Sequence, residues 1–214
     1  AHLNEGKSIK ESQLVSSINE LIEPLNVVYR SLCEVKCDVI ANGHTLDLLR
    51  RAHAFGLNLA KLDIRQSSDK HRKLFKSIIT YLGLGDYEKW SEDEKINFLT
   101  KEFKSKRPLI PRDIKLNKEE AEVWETFQMI SKLPRECLGA YVISMASSVS
   151  DILSVLILQK EAGIKSYLRI VPLFETYNDL KNSSAIMEKL YSNKWYVNYF
   201  NHKQEIMIGY SDSS

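Results

Sequence analysis

The sequence predicts an α/β protein: a partial (β/α) barrel of parallel strands with a large helical portion, predominantly helical overall. Apolar runs of strand length occur at residues 59–65, 139–146, 167–175 and 203–214. Helical segments with short connections separate the last three runs, and such alternation is typical of parallel strands joined by crossover helices. The runs are almost continuously apolar, as expected for strands that are buried on both faces.

Helical periodicity covers most of the remaining chain. Apolar residues recur at helical spacing between residues 11 and 36, where Pro24 is expected to introduce a kink. Thr45 is expected to cap a helix that ends at Gly56. Later helices are predicted at 69–82, 91–104, 118–133, 149–163 and 178–191, with Ser91 and Asn117 as N-caps.

A doubly wound sheet and a barrel both fit this alternation. Two features favour a barrel that the given chain contains only in part. The last strand has no helix after it, and the long helical stretch between the first and second strands resembles an insertion in a large barrel. We therefore expect one barrel segment, with helices at 1–58, a strand at 59–66, a helical insertion at 67–138 and a βαβαβ unit at 139–214.

The composition is that of an ordinary globular protein, with 43% hydrophobic and 27% charged residues among 214. A net charge of +2 provides no basic field for nucleic acid or a membrane surface. The longest apolar run is shorter than the ~20 residues that a membrane span needs. Cys33, Cys37 and Cys137 do not complete a zinc site and are expected to be reduced, which favours a cytoplasmic protein.

Charged residues stand at the ends of three predicted strands: Arg65, Glu175 and Asp212. Carboxyl ends of parallel strands form the site in α/β folds, and neighbouring strands lie ~4.8 Å apart. The two carboxylates could therefore converge on Mg²⁺ or Mn²⁺, and Arg65 could bind a phosphate or carboxylate group. The residues alone leave open the alternative that all three belong to surface ion pairs.

Other polar residues are expected to be structural. Asp63 alternates with Arg65 and is expected to pair with it inside the sheet. His71 has no partner at metal or triad spacing, although it follows Arg65 closely enough to come near the site. No glycine-rich nucleotide-binding fingerprint is present.

Four segments together resemble the phosphoenolpyruvate carboxylase family: KLDIRQSSDKH at 61–71, ISMASSVSDILSVLILQKEAG at 143–163, LRIVPLFETYNDL at 168–180 and KQEIMIGYSDSS at 203–214. The resemblance implies an eight-stranded barrel enzyme that uses phosphoenolpyruvate and bicarbonate to form oxaloacetate and phosphate. It implies Glu175 and Asp212 as ligands of Mg²⁺ or Mn²⁺, Arg65 as the catalytic group on the substrate phosphate, and Gln66 as a substrate-binding neighbour. It also implies a cytoplasmic homotetramer.

The sequence departs from the family pattern in several places. It lacks the family's histidine segment and its glycine-rich arginine loop, so we expect the 214 residues to be inactive alone. Ser67 stands where the family has Glu, and His202 where it has Gly. Two alternatives therefore stay open: a non-catalytic metal-binding segment, and a structural segment that self-associates through unpaired strand edges.

Overall fold

The computed structural model describes Val15 and residues 17–209. Asp212 and the end of the predicted last strand lie outside these residues, as does the start of the first predicted helix. The chain divides into two compact units, residues 1–60 and 61–214, and each is described by itself.

The first unit is helical. Its elements are α1 (Asn19–Glu34), α2 (Asp38–Ile40), a π-helical turn (Ala41–Thr45) and α3 (Leu46–Phe55). The helix α1 continues through Pro24. Gly56 ends α3 with a φ of 61°, which confirms the predicted C-terminus.

The predicted N-cap at Thr45 is wrong. Thr45 has helical dihedral angles, and its side chain makes no capping hydrogen bond. The reason is that the π-helical turn leads directly into α3, with the non-helical residue further back at Gly43. An N-cap requires a non-helical backbone at the capping residue itself.

The second unit contains four strands in the order β1-β2-β3-β4, all parallel, which confirms the predicted α/β class. The strands are β1 (Leu62–Ser67), β2 (Leu138–Ser144), β3 (Arg169–Phe174) and β4 (Met207–Ile208). The helices are α4 (Ser68–Tyr81), α5 (Glu92–Lys104), α6 (Lys118–Lys132), α7 (Val149–Glu161), α8 (Tyr177–Tyr191) and α9 (Lys194–Tyr199).

Local signals fix several helix starts as predicted. The Ser91 hydroxyl accepts from the backbone of Glu94, and the Glu94 carboxylate accepts from the backbone of Ser91. Asn117 and Glu120 make the same reciprocal bonds at α6. The bonds satisfy backbone N–H groups that a helix start otherwise leaves unpaired.

The two faces of the sheet pack differently. The face that carries Tyr141, Ile143 and Phe174 joins the main core with the helices, and α7 is buried along its length from residue 149 to 159. This explains why the α7 sequence is apolar on all sides. The opposite face carries a small apolar cluster of four strand residues and Met207: Ala140, Val142, Val171, Leu173 and Met207.

The sheet curves towards this small cluster. An Arg65 Nη2 atom lies 3.5 Å from the sulfur of Met207, although Arg65 is in the first strand and Met207 in the fourth. Three strand spacings would separate them by ~14 Å in a flat sheet. The contact indicates a curved sheet with Arg65 on its concave face, because in a flat sheet both side chains would have to lie fully extended across the strands.

The amino end of β2 contains a bulge. Leu62 pairs with Leu138, whereas Ile64 pairs with Tyr141, so β2 has one extra residue here. An Asp63 carboxylate oxygen accepts a hydrogen bond of 2.7 Å from the backbone of Ala140 within this bulge. The expected Asp63–Arg65 ion pair does not occur among the described residues, because Asp63 binds the backbone instead.

No helix in the described part of the chain is long and apolar enough to cross a bilayer.

Candidate functional site

Because the strands are parallel, their carboxyl ends meet at one edge of the sheet. Arg65 lies near the end of β1, Glu175 directly follows β3, and Gly209 directly follows β4. The three positions come from strands that are far apart in sequence. The fold therefore places Arg65 and Glu175, two of the three predicted strand-end residues, at the edge where α/β proteins bind ligands.

Arg65 is an exposed arginine on the concave face. It pairs in register with Val142, which in turn pairs with Val171 of the small apolar cluster. Its guanidinium lies against the Met207 sulfur. Among the described residues it forms no ion pair, so its charged donors are available to an anion.

Glu175 is half-buried and likewise has no ion-pair partner in the described part of the chain. Its backbone is fixed on both sides: the N–H donates to the Asp179 carboxylate at 3.4 Å, and Thr176 donates to the same oxygen at 3.0 Å. This is the N-terminal cap of α8. The Glu175 backbone is thus held rigidly, while the described residues supply no cation for its carboxylate.

Because Gly209 has no side chain, Glu175 can pack against its backbone. The Gly209 N–H donates to the Phe174 carbonyl at 2.9 Å, which brings the end of β4 against the end of β3. A Cβ at residue 209 would lie 3.2 Å from Glu175 Cα and 3.3 Å from its Cγ. A larger residue would have to push the glutamate aside, so the glycine allows Glu175 to lie over the end of β4.

The structure places Gln66 away from Arg65. Gln66 pairs with Ile143, a main-core residue, so the alternation of the strand puts it on the helix-covered face. Its Oε1 accepts from the backbone N–H of Ser67 at 3.0 Å. Gln66 therefore supports the end of β1 in this structure, and its role in substrate binding stays a prediction.

His71 is structural, as expected. It is fully buried, and its ring nitrogens lie 2.8 Å from the Ser67 carbonyl and 2.8 Å from the Tyr141 hydroxyl. A carbonyl only accepts, so Nδ1 carries the proton and Nε2 accepts from the tyrosine. Burial lowers the pKa of His71 to about 4, which keeps it neutral at physiological pH.

The sequence did not indicate a network at the loop between β2 and α7. Arg72 of α4 binds Asp151 of α7 through two hydrogen bonds, and Asp151 accepts from the loop backbone. The Ser148–Asp151 spacing is a capping-box signal for the start of α7. No sequence pattern indicates Arg72 as the partner of Asp151, because the two residues are far apart in the chain.

The chemistry of Glu175 fits a hard divalent cation, which prefers few carboxylates plus water and substrate oxygens. No group of three or more histidine, cysteine, aspartate or glutamate residues in the described part of the chain could hold a metal ion. The second predicted ligand, Asp212, follows Gly209 by three positions and lies outside the described residues. The described residues thus supply one of the two predicted carboxylates.

The fold and these strand-end residues define a mostly helical, parallel α/β protein in which Arg65 and Glu175, at one edge of the sheet, form no ion pair with a described residue. A family model described as phosphoenolpyruvate carboxylase matches residues 1–214. The chain belongs to the phosphoenolpyruvate carboxylase family.

Curated relatives agree with this assignment. The chain is 47% identical over 212 residues to the C4 phosphoenolpyruvate carboxylase of Flaveria trinervia, which covers 99% of the chain and 22% of the relative. It is 47% identical over 205 residues to phosphoenolpyruvate carboxylase 2 of Arabidopsis thaliana, with 96% and 21% covered. The chain therefore spans about a fifth of the length of these relatives.

Proposed function

We propose that this chain forms part of the active site of a phosphoenolpyruvate carboxylase, a carboxy-lyase that joins phosphoenolpyruvate and bicarbonate to give oxaloacetate and phosphate. The observation that carries the proposal is the pair of charged side chains, Arg65 and Glu175, at the carboxyl edge of the sheet, neither of which forms an ion pair with a described residue. Surface ion pairs, the alternative interpretation of these residues, find no support among the described residues.

Arg65 would bind the phosphate of the substrate. Its planar guanidinium offers paired N–H donors that match phosphate oxygens. When bicarbonate attacks the phosphoryl group, negative charge accumulates on the transferring oxygens, and a fixed arginine stabilises that charge. The Met207 contact restricts the side chain on the concave face. We therefore assign Arg65 the catalytic role.

Glu175 and Asp212 would hold Mg²⁺ or Mn²⁺ between the ends of β3 and β4. Such an ion, when bound, supplies Lewis-acid stabilisation of the negative charge on the enolate oxygen of pyruvate. The backbone bonds to Asp179 hold Glu175 in place for this task, and Gly209 allows the two strand ends to approach. The apolar cluster beneath Arg65 would exclude water, which would otherwise protonate the enolate to pyruvate.

The curved sheet supports the proposal that the four strands belong to a (β/α) barrel whose other strands lie elsewhere in a longer protein. A homotetramer, a cytoplasmic location and self-association of the isolated segment through its sheet edges are further proposals from the resemblance. Size-exclusion chromatography of the 214-residue chain over a range of concentrations tests self-association.

Site-directed variants of a full-length phosphoenolpyruvate carboxylase carrying these 214 residues test the function. We expect Glu175→Gln to lower kcat at least ~100-fold and to weaken Mn²⁺ binding, because it removes the ligand charge while keeping the shape. We expect Arg65→Gln to raise the KM for phosphoenolpyruvate and to lower kcat. Oxaloacetate formation is measured with coupled malate dehydrogenase.

Two substitutions of the same chemical type serve as controls. Glu188→Gln removes an exposed carboxylate on α8, and Arg169→Gln removes a guanidinium at the amino end of β3. Both should leave kcat within about twofold, since neither group lies at the carboxyl edge. Normal carboxylation by the Glu175→Gln enzyme would rule out the metal role of this residue.

A second candidate function is metal binding without catalysis, which is favoured by the Glu175 carboxylate at the end of β3, since it forms no ion pair with a described residue. Titration of the 214-residue chain with Mn²⁺, followed by electron spin resonance, tests it against an Asp212→Asn variant. Weak binding that the substitution abolishes would support this function. Equal binding by both chains would reject it.

A further inference from the structure

A side-chain network joins the second turn of α4 to the first turn of α7 at the carboxyl edge of the sheet. Arg72 Nε lies 2.7 Å from one carboxylate oxygen of Asp151, and Arg72 Nη2 lies 2.6 Å from the other. The same Nη2 atom lies 2.6 Å from the Ser147 hydroxyl. Two parallel bonds from a planar guanidinium fix the orientation of both partners.

Asp151 binds the loop between β2 and α7 at the same time. Its side chain is only 1% exposed, and one of its oxygens accepts from the backbone of Ser147 at 3.1 Å and of Ser148 at 3.0 Å. Arg72 therefore contacts the loop directly through a serine hydroxyl and indirectly through this carboxylate. The guanidinium is thus one of the groups that hold this loop.

The loop contains a strained residue. Met145 has a φ of 56°, a left-handed conformation that non-glycine residues seldom adopt. The hydroxyl of Ser68, the first residue of α4, donates to the Met145 carbonyl at 2.6 Å. Strained residues persist only where their surroundings hold them, and they cluster at functional sites. The hydrogen bonds from Ser68 and Arg72 to the loop both come from α4, the helix that directly follows β1.

The loop lies between the two proposed functional strand ends. Since β2 stands between β1 and β3 in the sheet, residues 145–148 follow the strand that separates Arg65 from Glu175. A shift of this loop would alter the surface on which a substrate spanning the two groups must rest. A displacement of about 1 Å can lower the rate of an oriented reaction ~100-fold.

We propose that Arg72 is a positioning residue of the active site, which holds the β2–α7 loop in place between Arg65 and Glu175. This inference rests on the proposed function. Arg72 does not contact the substrate in this proposal; it acts through Asp151 and the backbone of Ser147 and Ser148. Its loss leaves a buried carboxylate with only backbone donors, and leaves the loop tied to α4 through the Ser68–Met145 hydrogen bond.

The experiment compares Arg72→Ala with Lys73→Ala in a full-length phosphoenolpyruvate carboxylase carrying these residues. Lys73 is the matched control because it lies on the same helix and pairs with Glu119 of α6 at 2.9 Å, away from the loop. We expect Arg72→Ala to lower kcat about 10- to 100-fold while the KM for phosphoenolpyruvate changes less than about threefold. Lys73→Ala should stay within about twofold of wild type.

Chemical rescue separates positioning from a general loss of structure. Guanidinium at low millimolar concentration should restore part of the kcat of Arg72→Ala and none of that of Lys73→Ala. Ser147→Ala, which removes one contact of Arg72 and keeps the ion pair, should lower kcat by about threefold without changing the unfolding midpoint. This variant keeps the test valid if Arg72→Ala does not fold.

Each outcome decides the proposal. Unchanged kcat in Arg72→Ala, a loss that guanidinium does not reverse, or an unfolded Arg72→Ala together with an unchanged Ser147→Ala would overturn it. The proposed function is tested independently of Arg72: it is refuted if the Glu175→Gln enzyme keeps its activity. If Glu175→Gln loses kcat and Arg72→Ala does not, only the positioning role is refuted.

Discussion

Replacing Gly139 with alanine probes how the amino edge of the sheet is stabilised. A Cβ at residue 139 would lie 2.2 Å from the Asp63 Oδ1 atom, far inside van der Waals contact. The same oxygen accepts the hydrogen bond from Ala140 in the β2 bulge. An alanine at 139 therefore forces the carboxylate of Asp63 off the backbone N–H that it binds.

The expected loss follows from three contributions. A hydrogen bond to a charged group contributes about 1.5–3 kcal/mol, and the lower value applies here because Asp63 is exposed. Alanine restricts the unfolded chain more than glycine, which offsets about 0.4–1 kcal/mol. Ala140 is buried, so its freed N–H adds a desolvation cost of about 1 kcal/mol, the low end of the usual range. We therefore expect Gly139→Ala to lower the free energy of unfolding by about 1.5–2 kcal/mol.

A double-mutant cycle isolates this mechanism. In an Asp63→Ala background the collision is gone, and Gly139→Ala should become neutral or stabilising by about 0.5 kcal/mol. Urea unfolding followed by tryptophan fluorescence is the assay, because Trp90, Trp124 and Trp195 all lie in the unit that contains the sheet. An equal loss in both backgrounds would refute the reasoning.

Two further predictions concern the buried aromatic cluster of His71, Phe127 and Tyr141. Burial lowers the pKa of His71 to about 4 from 6.5, so the unfolded chain binds more protons between these values. Stability should therefore fall as the pH drops from 6.5 towards 4, by about 3 kcal/mol in total. His71→Gln should remove this dependence in urea unfolding at several pH values, and exposed His202→Gln should keep it. Phe127 is fully buried and stacks on Tyr141 at 4.9 Å. Phe127→Ala should cost about 3–5 kcal/mol, whereas Met129→Ala on the exposed face of the same helix should cost under about 1 kcal/mol; similar losses would contradict the burial argument.

Features with a local physical cause could be predicted from the sequence. Long apolar runs predicted β2 and β3, which are buried at most positions, because strands covered on both faces need no polar positions. The expectation of burial on both faces is wrong for β1 and β4, whose residues are exposed or half-buried. The capping boxes at Ser91 and Asn117 lie within three residues of their partners, so their sequence pattern is complete in itself. The short helix α9 was not predicted, because six residues are too few to show helical periodicity.

Features that depend on distant contacts could not be predicted in this way. Arg72 and Asp151 are 79 positions apart, and their pairing follows only from the packing of α4 against α7. The bulge at Gly139 likewise depends on Asp63 of another strand. The curvature that brings Arg65 to Met207 is a property of the whole sheet. None of these three features produces a pattern among residues that are close together in the sequence.

Gln66 shows where a position at a strand end is insufficient. Neighbouring residues of a strand point to opposite faces, so Arg65 and Gln66 cannot both face the concave side while the strand stays regular. The sequence contained this signal, since Ile64 and Gln66 alternate with Asp63 and Arg65. The family resemblance implies substrate binding for both Arg65 and Gln66. The alternation of the strand places their side chains on opposite faces of the sheet.

Helix residues at the carboxyl edge form the Arg72–Asp151 ion pair, but the charged residues on the strands and directly after them differ between the two edges, and this contrast supports the proposed function. At the amino edge, Asp63 binds the backbone of Ala140, and Arg169 forms an ion pair with Glu205. At the carboxyl edge, Arg65 and Glu175 have no ionic partner among the described residues. Charges that stabilise a fold are expected to have protein partners, whereas ligand-binding charges must keep their donors and acceptors free. The carboxyl edge therefore carries the charges that an external anion and cation would complete.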